Sequence, residues 1–171
     1  MRDPHARRRH RLTAMLVALF LLPACGAPQD ALGSSTDEPS AAASPTATSD
    51  PAAYADELTE LTNEARDEEG LPGLEYSDCA REAALERAQA LVGQEELVHA
   101  PLKPVIDRCA PVTTAAENLV NSTARPMDVV EAWLGSPGHR ANIIDPDLTE
   151  IGIGCVPDGV KLLCSQVFLG P

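Results

Sequence analysis

The sequence predicts an α+β fold, with helices first and a β-hairpin last. Three observations predict it. Two stretches at the start of the globular part carry apolar residues at helical spacing behind helix-capping residues. Pro126 opens a further stretch of the same kind. The chain then closes on two strand-like runs either side of Pro157-Asp158-Gly159, a turn signal. Helices segregated from strands argue against a doubly wound sheet, in which the two alternate.

Taken in order, Asp50 is an N-cap and Pro51 suits the first helical position, where its missing N–H costs nothing. Tyr54, Leu58, Leu61 and Ala65 then share a face, and Gly70 stops the helix. The acids Asp56, Glu57, Glu60, Glu64, Asp67, Glu68 and Glu69 read as its solvated side. A short strand fits within residues 71–76. Ser77 caps a second helix, whose Ala80, Ala84 and Ala88 imply close packing, with Leu91 and Val92 on the same face. Pro101, Pro104 and Pro111 make residues 100–114 a loop, and a brief helix is expected over 115–120. The Pro126 helix places Val129, Val130, Trp133 and Leu134 toward a core. Ser136-Pro137 caps one more helical turn, ended by Asp145-Pro146. Strands are expected over roughly 149–156 and 162–169, with Glu150 exposed where the first opens.

The ends of the chain carry different information. Residues 1–24 pair an arginine-rich start with a short apolar run, LTAMLVALFLL, too short for a stable membrane span. This predicts an export signal. Leu22-Pro23-Ala24-Cys25 resembles the bacterial lipobox, in which Cys25 is lipidated and becomes the mature N-terminus. Residues 26–50 hold no Ile, Val, Phe, Tyr or Trp, so residues 25–52 read as a lipidated cysteine and a flexible tether. Residues 53–171 are then the folded domain. The expected location is extracytoplasmic, at a membrane.

In an oxidising compartment the other four cysteines suggest two disulfides. A four-residue loop at 158–161 pairs residue 157 with 162 and 155 with 164. That register makes Cys155–Cys164 a cross-strand bridge and leaves Cys79–Cys109 as the other. The 171 residues carry 13 basic against 26 acidic side chains, a formal charge of −13. Such a chain is repelled by phosphate backbones, which excludes a nucleic-acid partner.

Four segments stand out chemically: Leu61 to Arg66, Val98-His99, Ala116 to Leu119, and Ala132 to Ile143, followed by Thr149 to Gly154. In this order and spacing they resemble the CAP superfamily of cysteine-rich secretory, antigen 5 and pathogenesis-related proteins, in its bacterial extracytoplasmic branch. The resemblance implies an α-β-α sandwich with a small antiparallel sheet between helical layers. It also implies a cavity lined by two His and two Glu, which here falls on His99, Glu117 and His139, with Ser136 where eukaryotic members carry the second glutamate. Beyond the leader no other histidine exists.

Two imidazoles and a carboxylate form a candidate shell for zinc or another divalent cation, with His99, Glu117 and His139 as ligands and Ser136 holding a water. The other reading is a buried polar network around Glu117. No catalytic residue is assigned. Each of the three side chains is expected at a helix end or loop edge, with Arg140 and Asn142 bonding their own loop. The functional expectation is a binding module for a small apolar or lipid-like ligand or an envelope component, the membrane lipid being the anchor. The alternatives are a metal- or His/Glu-assisted hydrolase of peptide or cell-wall material, and a protein-interaction domain with a vestigial cavity.

Overall fold

The computed structural model describes residues 50–171. The export segment expected over 1–24, Cys25, and the tether as far as residue 49 lie outside the described residues. Nine elements follow: α1 (Pro51–Glu68), β1 (Glu75–Tyr76), α2 (Asp78–Leu91), α3 (Lys103–Arg108), β2 (Thr114–Ser122), α4 (Pro126–Gly135), α5 (Pro137–Ile143), β3 (Glu150–Asp158) and β4 (Lys161–Gly170). The caps sit where the sequence places them. Asp50 accepts from the Ala52 N–H at the start of α1, and Ser77 from the Ala80 N–H at the start of α2.

The four strands form one sheet in the order β1-β3-β4-β2. β1 runs parallel to β3, and the other pairs are antiparallel. The hairpin register is the expected one, with Pro157 opposite Leu162 and Cys155 opposite Cys164. Both disulfides are those derived from it, Cys79–Cys109 and Cys155–Cys164. The first encloses 30 residues and ties the first turn of α2 to the end of α3, contributing about 3–4 kcal/mol by restricting the unfolded chain.

Strand alternation sends opposite side chains into two cores, so the sheet is the middle layer of an α-β-α sandwich. Ile151, Ile153, Cys155, Cys164 and Phe168 meet α1 and α4, through Tyr54, Leu58, Val129 and Trp133 among others. Val167 and Leu169 point the other way, against Ala80, Ala83, Ala84 and Val105 of α2 and α3. On that second face Gly152 and Gly154 carry no side chain because none fits. A Cβ at Gly152 would collide with the backbone at Arg81, and one at Gly154 with the backbone at Leu85. The backbone of α2 therefore lies directly on β3.

Three expectations are corrected. Residues 115–120 are not a helix but the middle of β2, which pairs with β4 along its whole length, from Thr114–Gly170 to Ser122–Leu162. The loop expected over 100–114 contains α3, whose Pro104 sits in the first turn, where proline is tolerated. Glu150 opens β3 partly buried rather than exposed.

One buried charge is satisfied without a carboxylate. Arg66 on α1 is almost fully buried and donates to the carbonyls of Pro72, Ile143, Asp145 and Leu148 at 2.8–3.3 Å. The guanidinium thus gathers the chain after α1 and the turn between α5 and β3 around one point.

Candidate functional site

β2 is one edge strand of the sheet, and the sequence-predicted residues collect around it. Glu117 lies within β2, not at a helix end or loop edge. Its side chain is on the face toward α2, the same face as its cross-strand partner Val167. His99 comes from the segment between α2 and α3, and His139 from α5 on the opposite layer. The three line one cavity of about 450 Å³ with Ser136, Gly138 and Asn142. Its two walls therefore belong to different layers and meet across the sheet edge.

Glu117 is the best-connected group in the cavity. Its side chain is only 2% exposed, and both oxygens are in use. Oε1 accepts from Arg87 Nε at 2.5 Å and from Ser165 Oγ at 2.8 Å. Oε2 accepts from Arg87 Nη2 at 2.7 Å and meets His99 Nδ1 at 2.7 Å. Burial pushes the carboxyl upward, but the bonds from Arg87, His99 and Ser165, with the charge of Arg87, bring it below its ordinary value of 4.5. An ionised carboxylate only accepts, so His99 Nδ1 is the donor and its Nε2 is the remaining nitrogen. His99 stays 53% exposed at the cavity mouth.

His139 behaves differently. Burial, followed by the positive charge of His99, lowers its pKa below the ordinary 6.5. Its backbone carbonyl accepts from Asn118 Nδ2 at 3.3 Å. That amide begins a buried relay. Asn118 also donates to Gln166 Oε1, and Gln166 donates to Thr62 Oγ1 on α1. Asn142 donates to Asn118 Oδ1 at 2.9 Å and to the Glu117 carbonyl at 3.1 Å. Asn142 thus satisfies a carbonyl of the edge strand and fixes α5 against it, rather than bonding its own loop. Arg140, also expected to bond that loop, instead pairs with Glu69 at the end of α1. Ser136 precedes α5 in the capping position, yet its hydroxyl makes no capping bond.

The sequence reading missed Arg87. It is one helical turn beyond Ala83 and Ala84, on the stripe of α2 that faces the sheet. A basic residue at that spacing was the available signal. The donor set also bears on the cation implied by the resemblance. Glu117 has its acceptor sites filled and its charge matched by a guanidinium, and Ser136 offers no charge. Among the described residues no three His, Cys, Asp or Glu side chains are grouped to hold a metal ion. The residues present do not fit a resident divalent cation.

A second cavity of about 340 Å³ adjoins the first, sharing Ser136 and His139. Its other walls are mostly apolar, from Leu119 and Val120 of β2 and from Val129, Ala132 and Trp133 of α4. Trp133 belongs to the core, as its spacing predicts, and its indole N–H donates to the Leu119 carbonyl at 3.3 Å.

A three-layer sandwich whose His and Glu side chains gather at one sheet edge defines the class of domain expected from the motifs. The family model for CAP, the cysteine-rich secretory protein family, matches residues 59–168, and the chain belongs to that family. It is 32% identical over 124 residues to the Bacillus subtilis (strain 168) protein YkwD, a match covering 69% of this chain and 48% of that protein. The chain thus spans about half the length of this relative. Two solved structures share the fold. One is an extracellular protein containing an SCP domain from Bacillus anthracis (TM-score 0.63, 23% identity, 71% of this chain and 41% of that one). The other is an outer surface protein from Borrelia burgdorferi (TM-score 0.60, 23% identity, 71% of this chain and 94% of that one). Among the described residues of this chain no helix is long and apolar enough to cross a membrane.

Proposed function

We propose that this chain is an exported protein, held at the membrane through a lipidated Cys25, whose CAP domain binds a small apolar or lipid-like ligand or envelope component. One observation carries the reading: a mostly apolar cavity opens beside a more polar one, and Ser136 and His139 belong to both. An amphipathic molecule suits that pairing. Its apolar part would lie between β2 and α4, gaining about 25 cal/mol for each Å² removed from water. Its polar end would reach the imidazoles. Pockets of this size with a few convergent polar groups are the usual form of small-molecule sites.

Native mass spectrometry of the chain recovered from its own envelope tests this. The expected result is one retained lipid-sized molecule per chain, lost in an Ala132→Trp variant that fills the apolar cavity. Recovery of the bare chain, together with Trp133 fluorescence unmoved by a long-chain fatty acid, would overturn it. Release of peptide or cell-wall fragments by the purified chain would favour the hydrolase instead.

A further inference from the structure

We infer that Arg87 is the resident cation of this cavity: its guanidinium occupies the electrostatic place beside Glu117 that a divalent metal would need, so the site is complete without one. Three observations lead there.

The first is the geometry. Arg87 grips both oxygens of Glu117 through Nε and Nη2, the two-pronged arrangement that matches a planar guanidinium to a carboxylate. The second is burial. The Arg87 side chain is 11% exposed and that of Glu117 2%, so water is a poor substitute for either partner. A metal drawing on Glu117 would have to displace the guanidinium and leave it buried and unpaired. The third is what else Arg87 holds. Its Nη2 also donates to the Ala100 carbonyl at 2.8 Å, and its Nη1 to that of Pro101 at 3.4 Å. Ala100 and Pro101 follow His99 directly, so one guanidinium sets both the carboxylate and the segment that brings His99 to it. Arg87 is in this sense a positioning residue. A spherical ion could neutralise Glu117, but it could not also donate to two carbonyls.

The test is zinc added to the full chain after chelation, read by the NMR signals of the His99 and His139 rings and by Tm. In the native chain both ring signals and Tm should stay in place. In Arg87→Met, where the guanidinium is gone and the carboxylate is exposed to a new partner, zinc should shift both ring signals and raise Tm. If Arg87→Met does not fold alone, zinc should restore its folding. Arg87→Lys keeps the charge without the fork, and should fold, stay blind to zinc and show an altered His99 signal. Saturable movement of both ring signals in the native chain would overturn the inference. So would an Arg87→Met chain that folds but ignores zinc, or one left unfolded with zinc as without it.

Discussion

Asn118 and Gln166 stand directly opposite each other on β2 and β4, and the Asn118 amide donates to Gln166 Oε1 at 2.9 Å. Both are fully buried. This cross-strand bond joins the α1 side of the core, through Thr62, to α5 and the backbone of His139. Buried amides left without partners cost more than the bond itself is worth, so the relay couples the position of His139 to the packing of α1.

Gln166→Leu should therefore cost about 2–3 kcal/mol in urea unfolding, because it leaves one of the two Asn118 Nδ2 hydrogens without its acceptor and takes from Thr62 Oγ1 its donor, both in a buried site. Combining it with Asn118→Leu should cost less than the two single losses added, by about 1 kcal/mol or more. Strictly additive losses would show that the two amides act independently.

The Glu117 carboxyl lies below its ordinary value in the folded chain. Its stabilisation is therefore complete above the unfolded value near 4.5 and is lost as pH falls through the folded one. Thermal melts from about pH 6 to 3 should show a steep acid limb in the native chain and a flatter one in Glu117→Gln. Near neutral pH that variant should already be less stable by about 3 kcal/mol, since Arg87 keeps its burial but loses its counter-charge. An equally steep acid limb in both would assign the effect to other carboxylates.

Gly152→Ala should be among the most damaging single changes available, because its Cβ meets the α2 backbone rather than a side chain that can turn aside. A loss above about 3 kcal/mol, or failure to fold, is expected. Gly135→Ala, at the end of α4 with open space around it, should be neutral or stabilising by up to about 1 kcal/mol. Similar effects from the two would mean that α2 can move off β3.

Cys25→Ser should release the chain from membranes or block its processing, read by fractionation and by the mass of the mature N-terminus. A native chain recovered free, unlipidated and beginning elsewhere would remove the anchor.

Much of the frame was legible because its signals are local. Asp50 and Ser77 cap where their side chains reach the following N–H groups, and the Pro157-Asp158-Gly159 turn fixed the register that pairs Cys155 with Cys164. β2 was not legible. Ala115, Ala116, Glu117 and Leu119 favour helix as isolated residues, and the nine-residue ladder with β4 overrides that preference. Of the site, His99, Glu117 and His139 followed from the resemblance to the CAP family that the motifs carry. Arg87 did not, because a basic residue on a helix rich in Glu and Arg reads as one more solvated charge until the sheet beneath it is known.

The two inward-facing guanidiniums have a consequence for the molecule's response to ionic strength. The chain carries −13 overall, yet Arg66 and Arg87 both lie largely inside, where Glu117, the partner of Arg87, is the one buried carboxylate among the described residues. Among the described residues the buried charges thus lean cationic, and the acidic excess lies on exposed side chains. Exposed anions repel one another across about a Debye length, roughly 8 Å at physiological salt, and added electrolyte screens them. The inner charges, shielded from mobile ions, are scarcely touched. Moderate salt should therefore strengthen this domain, because relief of repulsion among the excess acids outweighs the weakening of its exposed ion pairs, each worth little.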